Sequence, residues 1–159
     1  MNKFYLYPGD IFVSKEPHVI DTILGSCIAV AIWDPVLKFG SINHFMLPNW
    51  DGKGSPSFKY GDIAISELIK RMLVMGSLRK NLKAKVFGGS STGAGEGIFH
   101  IGRRNTNLAI EILNKEEIPI IGHSVGGIRG RKVVFYSATG EVMIKFIKSD
   151  ANRAKELFH

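Results

Sequence analysis

The sequence predicts an α+β domain in which two helices lie outside a largely antiparallel sheet system. The chain has 159 residues, which is about the size of one domain. Short strand-type segments outnumber the segments with helical periodicity, and most of them follow one another closely along the chain. No repeat and no long linker divides the sequence, so we expect a single domain over residues 1–159.

Strands are predicted where apolar residues alternate with polar ones or form short β-branched runs. In chain order these segments are residues 10–14, 18–24, 27–33, 40–47, 83–87, 119–123, 133–136 and 142–147. The run 27–33 is almost wholly apolar, which predicts a strand buried on both faces. Asp34-Pro35 favours a turn after it, so residues 40–47 are predicted to return as its hairpin partner.

Two helices are predicted from apolar residues at helical spacing. The first covers residues 62–75, and the second covers residues 104–115. Their apolar positions are Ile65, Leu68, Ile69, Met72 and Leu73 in the first helix and Leu108, Ile112 and Leu113 in the second. Each helix therefore has one apolar face, with which we expect it to cover a sheet.

The composition excludes several classes of function. No apolar run reaches the roughly 18 residues of a membrane span, and residues 1–8 are too short and too aromatic for a signal-peptide core. We therefore expect a cytoplasmic protein without membrane insertion. The chain has 21 Lys and Arg against 14 Asp and Glu, a formal charge of +7. These charges are scattered and lack the interleaved aromatic residues of nucleic-acid binders, so no nucleic-acid partner is expected.

No metal or organic cofactor is expected. Cys27 is the single cysteine, which excludes a disulfide within the chain and a cysteine-rich zinc site. The five histidines show no metal-ligand spacing. The glycine-rich run 88–97 lacks the Gly-Lys-Ser/Thr ending of a phosphate-binding loop. Any chemistry is therefore expected to come from side chains.

Cys27 and His44 form a candidate catalytic pair. Cys27 follows Gly25-Ser26 at the start of the apolar strand, and a thiol needs a base or a positive environment to act as a nucleophile. If the turn at residues 34–35 closes a hairpin, Cys27 lies across from residues 44–46, where opposed side chains are about 5 Å apart. The alternative is that Cys27 is a small buried hydrophobic residue.

Two motifs around this pair carry a family resemblance: Leu-Gly-Ser-Cys at residues 24–27 and His-Phe-Met-Leu-Pro at residues 44–48. Shorter motifs continue the likeness in order, at residues 59–62, 85–89, 101–105, 126–127, 131–133 and 139–140. Together these segments resemble the chemotaxis receptor glutamine deamidase family, CheD. The resemblance implies an α/β sandwich of mixed sheets with helices outside, also seen in the catalytic domain of cytotoxic necrotizing factor toxins.

The resemblance implies a cysteine-dependent protein-glutamine glutaminase that converts glutamine side chains on the cytoplasmic helices of methyl-accepting chemoreceptors into glutamate and ammonia. By position, Cys27 is the nucleophile and His44 the general base and acid. The third member of the family's triad is a threonine, here assigned to Thr22. In some members the threonine lies one residue earlier, where this chain has Asp21. One step along a strand reverses a side chain, so Thr22, Asp21 or the backbone is left to orient His44.

Four further residues are assigned to substrate binding. Gly25 and Ser26 form the nucleophile turn, in which the N–H groups of Ser26 and Cys27 are expected to hold the developing oxyanion. Tyr60 lies in a family motif, and Ser90 lies where the family more often has alanine. The resemblance also leaves a different class of function open, a non-catalytic binding module that regulates a CheC-type chemotaxis phosphatase. The presence of both Cys27 and His44 favours the enzyme.

Overall fold

The computed structural model describes residues 1–91 and 100–148. Residues 92–99 of the glycine-rich run and residues 149–159 lie outside this described part. Its strands are β1 (Asn2–Tyr5), β2 (Ile11–Ser14), β3 (His18–Leu24), β4 (Ile28–Asp34), β5 (Phe39–Asn43), β6 (Lys83–Gly88), β7 (Ile120–Val125), β8 (Arg131–Tyr136) and β9 (Val142–Phe146). Its helices are α1 (Gly61–Val74), α2 (Ile101–Lys115) and a single 3-10 turn (Arg79–Asn81).

The strands form two mixed sheets. One has four strands in the order β1-β3-β8-β9, and the other has five in the order β2-β5-β4-β6-β7. The β1–β3 and β6–β7 pairs are parallel, whereas the other five pairs are antiparallel. The α+β class with largely antiparallel mixed sheets is thereby confirmed.

Two hydrophobic clusters define three layers. The inter-sheet cluster lies between the two sheets and consists of Leu6, Ile20, Leu24, Ala29, Ala31, Ile42, Phe87, Val133 and Phe135. The second cluster joins the other face of the five-stranded sheet to both helices, with Val30, Val86, Leu68 and Leu108 among its members. The five-stranded sheet is therefore the middle layer, and the helices cover its outer face as their apolar stripes predict.

Strand β4 is buried on both faces, as its apolar run predicts. Ala29 and Ala31 belong to the inter-sheet cluster, whereas Ile28, Val30 and Ile32 belong to the cluster under the helices. Alternate residues of a strand point to opposite faces. The small residues therefore face the second sheet and the large ones face the helices.

The predicted strand 40–47 is shorter in the structure, because β5 ends at Asn43. Beyond β5, Phe45 still pairs with Ile28 of β4. Met46 and Leu47 turn away, and their N–H groups donate to the Lys59 carbonyl at 2.8 and 3.0 Å. The N–H of Gly61 donates to the Leu47 carbonyl at 2.8 Å. The chain after His44 is therefore held by the segment that enters α1, a long-range pairing that local patterns do not report.

Strand β1 was not predicted, and α2 begins three residues before its predicted start. Four residues are too few to establish alternation, and all four residues of β1 are exposed. The strand conformation of β1 is stabilised by its parallel pairing with β3 rather than by a pattern in its own sequence. Within the described residues, neither α-helix is long and apolar enough to cross a bilayer.

Replacing Gly61 with alanine is expected to destabilise the fold. A Cβ there would lie 2.6 Å from both Leu108 Cδ2 and Phe45 Cε2. The start of α1 would therefore have to move away from α2 and from the segment after β5. Overpacking of this kind costs about 1–3 kcal/mol, which urea denaturation can measure. The matched control is Gly122→Ala, for which the three atoms nearest to the added Cβ belong to the flexible Lys85 side chain, at 3.4 Å or more. Equal stability of the two variants would contradict this interpretation of the packing.

Candidate active site

Cys27 lies immediately before β4, at the end of the space between the sheets. Its side chain is half-buried and packs against the inter-sheet cluster. Its carbonyl accepts a hydrogen bond from the N–H of Gly89 at 2.9 Å, and the N–H of Ser90 donates to the Gly25 carbonyl at 3.0 Å. The chain that follows β6 therefore fixes the backbone of the nucleophile turn on both sides of Ser26.

Gly88 makes this close approach achievable. Its φ of +107° lies in the region that favours glycine, and a Cβ at this position would overlap the Cys27 carbonyl oxygen. Its own carbonyl accepts the N–H of Gly126 at 2.9 Å. The buried Arg131 guanidinium in turn donates to the carbonyls of Ser124 and Gly126. The backbone beside Cys27 is therefore supported from three strands.

His44 follows β5 and is only 1% exposed. Its Nδ1 lies 2.7 Å from the hydroxyl oxygen of Thr22, and that hydroxyl donates its proton to the Leu6 carbonyl, also at 2.7 Å. Since a hydroxyl has one proton, Thr22 must accept from His44. The Nδ1 atom therefore carries the ring proton, and Nε2 is left unprotonated and able to accept one.

The sequence left Thr22 and Asp21 as alternative partners of His44, and the structure brings Thr22 to the histidine. Thr22 is fully buried on the inner face of β3. Asp21 points to the other face, where its carboxylate lies 3.9 Å from the Lys132 ammonium. The Thr22–His44 hydrogen bond also joins the four-stranded sheet to the five-stranded sheet.

Cys27 and His44 share one face of the five-stranded sheet as diagonal neighbours. Ile28 pairs with Phe45, in the same register that places Ala31 opposite Ile42. Continuing this register places Cys27 opposite Met46, at the end of the range that the sequence predicted. Diagonal neighbours are typically 7–8 Å apart at Cα, and no hydrogen bond joins the Cys27 thiol to His44 among the described residues.

Burial keeps both side chains of the pair uncharged at neutral pH. Burial lowers the pKa of His44 to about 4, although the Asp10 carboxylate and the Leu6 carbonyl oppose that change. Burial also raises the pKa of the Cys27 thiol. The resting pair is therefore a neutral thiol and a neutral imidazole, which can exchange a proton only as a reaction proceeds.

The nucleophile turn presents backbone donors to solvent. Gly25 and Ser26 are exposed, and Cys27 is half-buried. Among the described residues, the N–H groups of Ser26 and Cys27 donate to no backbone carbonyl, and the Cys27 N–H lies beside its own sulfur. Two adjacent free N–H groups can stabilise an oxyanion that forms beside the sulfur.

Of the two other residues assigned to substrate binding, Ser90 contacts the nucleophile turn through its backbone, whereas none of the hydrogen bonds found among the described residues joins Tyr60 to that turn. Tyr60 immediately precedes α1, and its backbone pairs with Leu47. Ser90 is 2% exposed, and its hydroxyl has no partner among the described residues. Ser90 contacts the nucleophile turn through its backbone, which donates to Gly25.

Asn105 is a site residue for which the sequence gave no role. Its side-chain Nδ2 donates to the carbonyls of Ser26 at 3.1 Å and Met46 at 3.0 Å. The available signal was its place one turn before Leu108 and Ala109, where a polar residue interrupts the apolar face of α2. No group of three or more potential metal ligands occurs among the described residues.

A thiol, a buried imidazole and a hydroxyl lie where the two sheets meet, a set of groups found in proteins that carry out nucleophilic thiol chemistry. A family model described as "CheD chemotactic sensory transduction" matches residues 46–146. The chain belongs to the CheD family, as the sequence motifs predicted. The residues that the family model matches follow Cys27 and His44 in the chain.

Relatives named "Probable chemoreceptor glutamine deamidase CheD" align over most of the chain. The relative from Sulfurimonas denitrificans is 40% identical over 149 residues, which cover 92% of this chain and 95% of that protein. The relative from Trichlorobacter lovleyi is 39% identical over 91% of this chain and 90% of its own length. The relative from Rhodospirillum rubrum is 39% identical over 94% of this chain and 85% of its own length.

The low pKa of His44 predicts a loss of stability in acid. Between pH 6.5 and about 4 the unfolded chain binds a proton at His44 that the folded chain does not, so the unfolding free energy falls as the pH falls through this window. At about 1.4 kcal/mol per pKa unit, His44 accounts for a loss of about 3 kcal/mol. Urea denaturation at pH 7 and pH 4 measures this loss.

The variant His44→Gln is expected to lose less stability than the wild type between these two pH values, because glutamine does not titrate. The control is His123→Gln on β7, which removes an exposed histidine and leaves the buried His44 ring in place. An unchanged pH dependence in His44→Gln would show that His44 is not the group responsible.

Proposed function

We propose that this chain is a chemoreceptor glutamine deamidase, a protein-glutamine glutaminase that uses Cys27 as its nucleophile. The observation that carries this proposal is the Thr22–His44 hydrogen bond, which leaves the Nε2 of a buried neutral histidine free on the face that also bears Cys27. The names of the relatives support the same activity.

In the first step, the Cys27 sulfur attacks the side-chain carboxamide carbon of a glutamine while His44 Nε2 takes the thiol proton. The S–C bond forms, and the carbonyl electrons move onto oxygen. The Ser26 and Cys27 N–H groups stabilise that oxyanion. Hydrogen bonds of this kind are often long in the free enzyme and shorten when substrate binds, which suits a diagonal Cys27–His44 pair.

In the second step, the carbonyl re-forms, the C–N bond breaks, and the imidazolium proton of His44 goes to the departing nitrogen. Ammonia leaves, and a thioester remains on Cys27. His44, neutral again, takes a proton from a water molecule as the water oxygen attacks the thioester. The C–S bond then breaks, and His44 returns a proton to sulfur. One water is consumed, and glutamate and ammonia are the products.

Thr22 is assigned as the positioning residue of this sequence of steps. Its hydroxyl holds the ring in the Nδ1–H tautomer and stabilises the imidazolium that forms during attack. Asp10 adds a carboxylate whose charge favours the protonated ring. A transient imidazolium is therefore less costly than the burial of His44 alone implies.

The proposed substrate is a cytoplasmic helix of a methyl-accepting chemoreceptor, which places the enzyme in the cytoplasm. Met46 and Leu47, which follow His44, are 37% and 40% exposed and offer apolar contact to a helix beside the site. The formal charge of +7 favours acidic partners. Regulation of a CheC-type phosphatase stays a prediction of the family resemblance.

Cys27→Ser is expected to abolish deamidation because serine at this position lacks the nucleophilicity and lower pKa of a thiol. The test uses a purified chemoreceptor cytoplasmic fragment and measures ammonia release together with the mass change of glutamine to glutamate. Loss of the nucleophile is expected to lower the rate by at least about a thousandfold.

The matched control is Ser66→Ala on the exposed side of α1, which is expected to retain the wild-type rate. Deamidation by Cys27→Ser would contradict the assignment of the nucleophile. A wild-type protein that binds the receptor fragment without releasing ammonia would favour the binding-module alternative.

A further inference from the structure

The regular pairing of β4 with β5 ends at Ala31 and Ile42, and one isolated bridge, between Ile28 and Phe45, follows it before the nucleophile turn. Ile28 and Phe45 exchange both backbone hydrogen bonds, at 3.1 and 2.9 Å. In an antiparallel pair, the next such exchange would join Ser26 to Leu47. Leu47 instead bonds to Lys59 and Gly61, so Ser26 loses its strand partner.

The side chain of Asn105 occupies the gap that this divergence leaves. Its Nδ2 bridges the carbonyls of Ser26 and Met46 at 3.1 and 3.0 Å. Both partners are acceptors, so the amide nitrogen must face them and both of its protons are used. Asn105 therefore satisfies the Ser26 carbonyl without engaging the Ser26 N–H.

This contact has a cost that packing alone does not explain. Asn105 is fully buried, and its Oδ1 has no hydrogen-bond partner among the described residues. A buried acceptor without a partner costs about 1–3 kcal/mol. A helix face that only had to pack would be served better by leucine or alanine. Asparagine at position 105 supplies two N–H donors, which leucine or alanine would lack.

Helix α2 is held at a fixed distance from the nucleophile turn. A Cβ at Gly102 would lie 2.5 Å from the Gly89 carbonyl oxygen, so the first turn of α2 touches the same backbone that binds Cys27. Thr106 Oγ1 donates to the Gly102 carbonyl at 2.8 Å. Asn105 therefore projects from a rigid support toward the turn.

We propose that Asn105 is a positioning residue of the deamidation site: its amide joins the Ser26 and Met46 carbonyls where the Ser26–Leu47 exchange is missing, and it leaves the Ser26 N–H free for the oxyanion. The inference rests on the proposed function for its catalytic consequence. The structural part, that Asn105 holds the two segments together, stands on the contacts alone.

The test compares Asn105→Ala with the wild type in the full chain. Three quantities are measured: kcat and KM for the receptor fragment, the rate of Cys27 alkylation by iodoacetamide, and hydrogen exchange of peptides covering residues 25–28 and 45–48. Alkylation occurs at a saturated carbon and forms no oxyanion, so it reports the thiol without the oxyanion site. Asn105→Ser, which keeps one donor, serves if the alanine variant does not fold.

We expect kcat to fall at least about tenfold, because one oxyanion donor is worth about 10²–10³ in kcat. KM and the alkylation rate are expected to stay within about threefold of the wild type. Hydrogen exchange is expected to increase in the two segments and not in β8 and β9. The control Asn107→Ala changes an exposed asparagine on the same helix and is expected to alter none of these quantities.

Unchanged exchange in residues 25–28 and 45–48 would overturn the proposal. So would a fall in kcat that is accompanied by faster alkylation and by faster exchange throughout the chain, because that pattern indicates general destabilisation. A wild-type protein without deamidation would refute the proposed function, and the hydrogen exchange would still decide whether Asn105 holds the two segments.

Discussion

The hydrogen bond between Thr22 and His44 is the interaction on which the candidate site depends. It joins two sheets whose facing surfaces are mostly apolar, and the two atoms lie 2.7 Å apart in a buried setting. Because the Thr22 hydroxyl already donates to Leu6, the bond selects one tautomer of the histidine. The packing of the sheets therefore determines which ring nitrogen faces the side of the sheet that bears Cys27.

The second constraint is that strand pairing ends just before Cys27, the proposed nucleophile. A nucleophile turn inside a complete ladder would have its N–H groups occupied, whereas a turn without support would not hold a fixed position. The chain meets both requirements by diverting Leu47 to the segment before α1 and by holding the turn through Gly89 and Asn105. Gly89 and Asn105 therefore hold the turn through its carbonyls, and the departure of Leu47 leaves the Ser26 N–H free.

Local patterns predicted what depends on local chemistry. The apolar run of β4 and the turn after it were enough to bring Cys27 near His44, and the helical stripes predicted the outer layer. The choice between Thr22 and Asp21 was not accessible, because it depends on how β3 of one sheet faces the end of β5 in the other. Asn105 was missed for the same reason: its partners are carbonyls at distant positions. The likeness to cytotoxic necrotizing factor toxins stays a prediction.

The most direct test is nitrogen NMR of the His44 ring in ¹⁵N-histidine-labelled protein, assigned by comparison with His44→Gln. We expect a neutral ring protonated at Nδ1 that remains neutral as the pH falls until about pH 4. Thr22→Val, which removes the acceptor, is expected to lose the preference for Nδ1–H, whereas Thr22→Ser is expected to keep it. A ring protonated at Nε2, or one that titrates near the ordinary histidine pKa of about 6.5, would show that the buried Thr22–His44 hydrogen bond does not select the tautomer of His44.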